Sequence, residues 1–133
     1  MLRTTCLNYD IPNKGKIMNF DNPLFLIPIL TGLTFVIAGV IMIKLPPKKI
    51  NSLYGYRTAS SMKSQERWDF SQKYAAQKLI QFGTILTVSS ILGLIYDLRE
   101  NIGVIIGLAF MLIAIIFLLI RTEKAIKIRF GKD

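Results

Sequence analysis

Charged side chains are missing from three stretches of the chain, residues 22–43, 79–96 and 101–120, which run for 22, 18 and 20 residues. Asp21 and Lys44 bound the first, Lys78 and Asp97 the second, Glu100 and Arg121 the third. A helix rises about 1.5 Å per residue, so about 20 residues cross a hydrocarbon core of roughly 30 Å. In lipid no water can satisfy the backbone, so a spanning stretch has to be helical. Helices of a soluble bundle keep a polar face, and Ile102 to Ile120 has none. The pattern predicts an all-α integral membrane protein with three transmembrane helices. Pro23 suits a first helical turn, and Pro28 is expected to kink the first helix. That helix is no secretory signal peptide: it is too long, and a basic segment stands where a small-residue cleavage site would be.

The periodicity between the first two spans is different. Pro46-Pro47 ends the first helix sharply. A new helix then starts at Ser64, a good N-cap, with Glu66 in the first turn where the helix dipole favours an acid. Trp68, Ala75, Leu79 and Phe82 share one face and run into the second span. The second helix is therefore expected to begin outside the membrane and enter it near residues 77–79. Gln77, Gln81 and Thr84 form a polar stripe expected to face the bundle or the loop rather than lipid. In the third span Gly103 and Gly107 make a small-residue pair, with Ala114 along a similar face. Such a face brings helices close, although glycine is also common in membrane helices without that role.

The loop from Leu45 to Tyr74 is long and patterned. Tyr54, Tyr56, Trp68 and Tyr74 could form an interfacial aromatic belt, with lysines and arginines on lipid phosphates. A belt does not account for the order Asn51-x-x-Tyr54-Gly55-Tyr56-Arg57. Gly55 between two tyrosines predicts a turn with positive φ. Arg57 carries a planar fork of donors suited to a carboxylate, a phosphate or a backbone oxygen that orders the loop. A small pocket beneath this loop is expected.

Composition and charge then set the orientation. Apolar residues make up 52% of the 133, yet the net charge is +9; mean hydropathy is +0.45. The two coexist because they are segregated. Thirteen of the 17 basic residues lie in the first loop and the C-terminal tail. The other four are Arg3, Lys14, Lys16 and Arg99. The positive-inside rule predicts an N-terminus outside and a C-terminus in the cytoplasm, with the basic loop against anionic lipid. The same bias accounts for the charge without direct binding of nucleic acid. Residues 1–17 are polar and unpatterned. They read either as a disordered outer arm or as an extension upstream of a start at Met18, and the second is favoured because it sharpens the charge asymmetry. Residues 18–133 then form a single domain. Cys6 is the only cysteine, so no internal disulfide is possible. There is no histidine, no metal-ligand cluster, no nucleophile beside a base and no phosphate-binding glycine loop. No enzymatic activity, metal or cofactor is expected.

The segments Pro46-Pro47-Lys48-Lys49-Ile50-Asn51, Tyr54-Gly55-Tyr56-Arg57-Thr58 and Ser61-Met62-Lys63, with Trp68, resemble the signature of the SdpI family of bacterial membrane proteins. The likeness is to the C-terminal half of the founding member, and the three-span layout fits from about Phe20 to Arg121. It implies a multi-pass protein of the bacterial cell membrane. It also implies binding roles for Pro46, Pro47, Asn51, Tyr54, Gly55, Tyr56, Arg57, Thr58, Ser61, Met62 and Trp68. The founding member is an immunity protein that protects its producer from a secreted, membrane-active peptide toxin. It also acts as a receptor that holds a transcriptional repressor at the membrane. The function implied here is resistance to such a peptide. The alternatives are a signalling receptor that sequesters a repressor through the basic loop, and a lipid-handling or transport accessory. A homo-oligomer is compatible with all three. Two departures stand out: the founding member has further helices before this region, and Ser71-Gln72 replaces the family's usual Ala-Asn pair.

Overall fold

The computed structural model describes residues 20–96 and 98–131; Cys6, Met18 and the N-terminal arm lie outside the described residues. Four helices follow in order: α1 (Pro23–Lys44), α2 (Gln65–Ser89), α3 (Leu92–Ile95) and α4 (Glu100–Phe130). Three segments are long and apolar enough to cross a membrane: α1, the α2–α3 segment Gln65–Ile95, and α4. The chain is thus an all-helical, multi-pass membrane protein, and its helices carry most of their apolar side chains on the outside, where lipid belongs.

α1 starts one residue later than the charge-free stretch, because Asn22 caps it. The Asn22 side-chain oxygen accepts from the Leu24 amide at 3.0 Å. Its amide nitrogen donates to the Gly93 carbonyl at 2.7 Å and to the Tyr96 carbonyl at 3.0 Å. Asn22 is buried, so one side chain closes both the start of α1 and the end of the second membrane segment.

That segment is interrupted, in contrast to the continuous helix predicted over 79–96. Ser89 and Ser90 turn their hydroxyls back onto the Leu86 and Thr87 carbonyls. The amides of Ile91, Gly93 and Leu94 bond three residues back instead of four. This tightens the chain after Ser89 and sets Gly93 against the backbone of α1, where a Cβ would lie 2.3 Å from the Phe25 nitrogen.

α1 packs most extensively on α2. The contact is built on small residues. A Cβ on Gly32 would lie 2.6 Å from the Gly83 carbonyl oxygen, and one on Gly39 would lie 2.8 Å from that of Ala76. The backbones approach closely because nothing projects between them. This fixes which side of α2 faces inward, and it is not the side of the polar stripe. Gln77, Gln81 and Thr84 are exposed, with Lys78 donating to Gln81 and Thr84 satisfied by its own Ile80 carbonyl. The inward polar residues are Ser71 and Gln72.

α4 is longer than the predicted span of 101–120. It continues through the basic tail to Phe130, about 46 Å in all for its 31 residues. The buried positions Gly103, Gly107, Ala114, Leu118, Thr122 and Ile126 recur along one face. Gly107 lies against Ile27 and the Pro23 carbonyl; Gly103 lies beside Asn22 and Leu24 at ordinary contact distance. The last turns of α4 pack on the first turns of α2: the Phe70 and Phe130 rings meet edge to face at 5.7 Å, and the Arg129 guanidinium covers Phe70 at 4.8 Å. A layer of helix and loop thus stands at the basic end of the bundle.

Candidate functional site: the loop between the first two helices

Trp68 is fully buried and anchors this layer. Its indole nitrogen donates to the Pro47 carbonyl at 2.8 Å, which pulls the chain leaving α1 down onto α2. Asn51 forms the next turn, its side-chain oxygen accepting from the Leu53 and Tyr54 amides at 2.9 and 3.2 Å. The Tyr54 hydroxyl donates back to the Leu45 carbonyl at 2.5 Å. Gly55 takes φ +110°, the positive value predicted for it.

That turn delivers the Tyr56 backbone to Gln72. The Tyr56 amide donates to Gln72 Oε1 at 2.6 Å, and Gln72 Nε2 donates to the Tyr56 carbonyl at 2.7 Å. One buried side-chain amide therefore satisfies both backbone groups of one loop residue. The Tyr56 hydroxyl reaches α4, where it donates to the Glu123 carboxylate at 3.1 Å. Burial above all, and then the charge and hydrogen bond of Glu123, push the Tyr56 phenol above its ordinary pKa. Thr58 and Ser61 close the loop: the Thr58 amide donates to Ser61 Oγ at 2.9 Å, and Ser61 Oγ lies 3.1 Å from the Tyr56 carbonyl. Ser64 then caps α2 by accepting from the Arg67 amide.

The residues singled out in the loop fall into two groups. Pro47, Tyr56, Ser61 and Trp68 are buried and converge, with Asn51, Gly55 and Thr58 half-buried between them. They hold the loop. Pro46, Tyr54, Arg57 and Met62 are exposed. The Arg57 guanidinium donates to the Ser52 carbonyl inside its own loop. An aromatic belt describes neither Tyr56 nor Trp68, since both are turned into protein. Gly103 and Gly107 stand at the opposite end of the bundle and belong to helix packing.

Sequence reasoning missed Gln72 as the clamp and Glu123 as the partner of Tyr56. Glu123 had a signal: Ala114, Leu118, Thr122, Ile126 and Phe130 keep a four-residue spacing through the basic tail, which extends α4 and carries Glu123 with it. Beside the loop lies a cavity of about 440 Å³ between the end of α1, the 46–48 segment and α2, lined by Met42, Ile43, Pro46, Pro47, Lys48, Asp69, Gln72, Lys73 and Gln77.

The profile of the SdpI/YfhL protein family matches residues 48–121, from the loop through the span of α4. This chain belongs to that family. A relative from Bacillus subtilis (strain 168), described as uncharacterized protein YfhL, is 35% identical over 103 residues, which are 74% of this chain and 88% of the relative. No solved structure matches. The interlocked loop of Pro47, Tyr56, Ser61 and Trp68 lies inside or directly beside the stretch that the SdpI/YfhL profile covers.

Proposed function

We propose that this SdpI/YfhL family protein is a membrane immunity protein that protects its cell against a secreted, membrane-active peptide. The observation that carries the reading is the division of the family-matched loop into a buried lock and an exposed rim. Trp68, Gln72 and Glu123 hold the loop, so Tyr54, Arg57 and Met62 are presented from a backbone that needs little further ordering on binding. A rigid polar and apolar rim beside lipid suits recognition of an amphipathic peptide or of the lipid it disturbs. On this reading the chain catalyses no reaction and carries no cofactor, the basic loop lies in the cytoplasm, and anionic lipid surrounds it.

The test is survival under peptide challenge at matched membrane levels for wild type, Arg57→Lys and Arg57→Ala. Lysine keeps the charge but loses the planar fork. Arg57→Lys is expected to protect about as poorly as Arg57→Ala. Full protection by both variants would remove Arg57 from the site. A second reading, a receptor that sequesters a soluble repressor, is favoured by the exposed basic residues Lys48, Lys49, Arg57 and Lys63 on one loop. It predicts loss of regulation, with protection intact, when Lys48 and Lys49 are replaced by glutamate.

A further inference from the structure

The cavity beside the loop is of two halves. Its floor is Met42 and Ile43, from the last turns of the apolar α1, together with the rings of Pro46 and Pro47. Lys48, Lys73 and Asp69 line it as well, and all three residues are exposed. Neither ammonium has an ion-pair or hydrogen-bond partner among the described residues. Asp69 uses one oxygen to accept from the Gln65 amide at 2.7 Å, which leaves the other. The wall is fixed before anything binds. Tyr54 holds the Leu45 carbonyl, Trp68 that of Pro47, and Gln65 that of Lys48.

We propose that this cavity binds the headgroup of one anionic phospholipid of the phosphatidylglycerol class. The phosphodiester sits between Lys48 and Lys73, a headgroup hydroxyl donates to the free oxygen of Asp69, and an acyl chain runs down over Met42 and Ile43. Charge selects the anion: two ammoniums against one carboxylate leave a single positive charge, which matches a monoanionic phosphodiester. The apolar part of the lining favours a lipid over a free anion, because inorganic phosphate would leave Met42, Ile43 and the proline rings uncovered where an acyl chain covers them. The floor is also continuous with the membrane-spanning part of α1, so a lipid enters sideways with its tail still in the bilayer. The net charge of the three groups favours a monoanionic headgroup over a zwitterionic choline lipid, whose own cation would leave that positive charge unmatched.

The inference goes beyond protection against a peptide and is tested without it. The protein is purified from membranes containing phosphatidylglycerol and weighed intact in mild detergent by native mass spectrometry. Wild type is expected to retain a single phosphatidylglycerol. Lys48→Gln with Lys73→Gln should lower that occupancy about tenfold. Arg121→Gln with Lys124→Gln removes the same charge from α4, away from the cavity, and should leave occupancy unchanged. Equal losses in both pairs would reduce the effect to diffuse attraction and overturn the site. So would equal retention of phosphatidylcholine, and so would displacement of the lipid by inorganic phosphate alone, which would mark a free-anion site.

Discussion

Gly55 in the loop and Gln72 on α2 constrain one another. A Cβ on Gly55 would lie 2.5 Å from Gln72 Oε1, and φ +110° is a conformation that other residues rarely adopt. Gly55→Ala is expected to cost about 1–3 kcal/mol. Gln72→Ala leaves the buried Tyr56 amide without a partner, at about 1–3 kcal/mol, while the Tyr56 carbonyl keeps Ser61 Oγ. Both variants should melt earlier than wild type in detergent; an unchanged midpoint for Gln72→Ala would dismiss the clamp. Tyr56 gives a pH prediction. Its folded pKa is raised, so its contribution is fully present below the unfolded value of about 10 and is lost as pH rises through the higher folded value. Tyr56→Phe should therefore melt lower at neutral pH and fall less steeply above pH of about 10. Parallel curves would sink that assignment. Gly55 was legible because glycine between two tyrosines has few reasons other than its backbone. Gln72 was not: a glutamine within an amphipathic helix reads as surface until the loop folding back over it is known. The Ser52 carbonyl that Arg57 holds could not be read from spacing.

Helix packing separates glycines that look alike in sequence. Gly32 and Gly83 meet backbone to backbone, whereas a Cβ on Gly103 finds only ordinary contacts at 3.4 Å and beyond. Gly32→Ala should therefore destabilise the bundle clearly. Gly103→Ala should be neutral or stabilising, since alanine is favoured over glycine in a helix by about 1 kcal/mol. Thermal midpoints in detergent give the order, and a Gly103→Ala loss as large as that of Gly32→Ala would contradict it. Three membrane segments were legible because charge-free length is a strong signal. The interruption after Ser89 was not, because Ser89 and Ser90 look like tolerable polar residues in a helix, and the α1 backbone that requires Gly93 lies far off in sequence. The extension of α4 past Arg121 was hidden by its charges, which mask the Leu118, Thr122, Ile126 and Phe130 face.

For the molecule as a whole, orientation decides which side of the membrane the loop meets. The proposed orientation puts Ser52 in the cytoplasm and Asn101 outside. Single cysteines at these exposed positions, in a Cys6→Ser background, should react with an impermeant maleimide in intact cells at residue 101 and not at 52. The reverse result would invert the molecule. One feature of α4 bears on either orientation. From Leu108 to Phe130 it holds no glycine or proline, the residues at which helices most often kink. It is anchored near one end where Gly107 meets α1, and at the other where Glu123 and Phe130 meet the loop and α2. A rod of fixed length through a bilayer is a ruler. Where the membrane thins around it, the apolar stretch no longer matches the hydrocarbon, at a cost of fractions of a kcal/mol per Å that tilting relieves. Because the loop is tied to the far end of that ruler, a tilt of α4 relative to α2 would be felt first at the hydrogen bond between Tyr56 and Glu123.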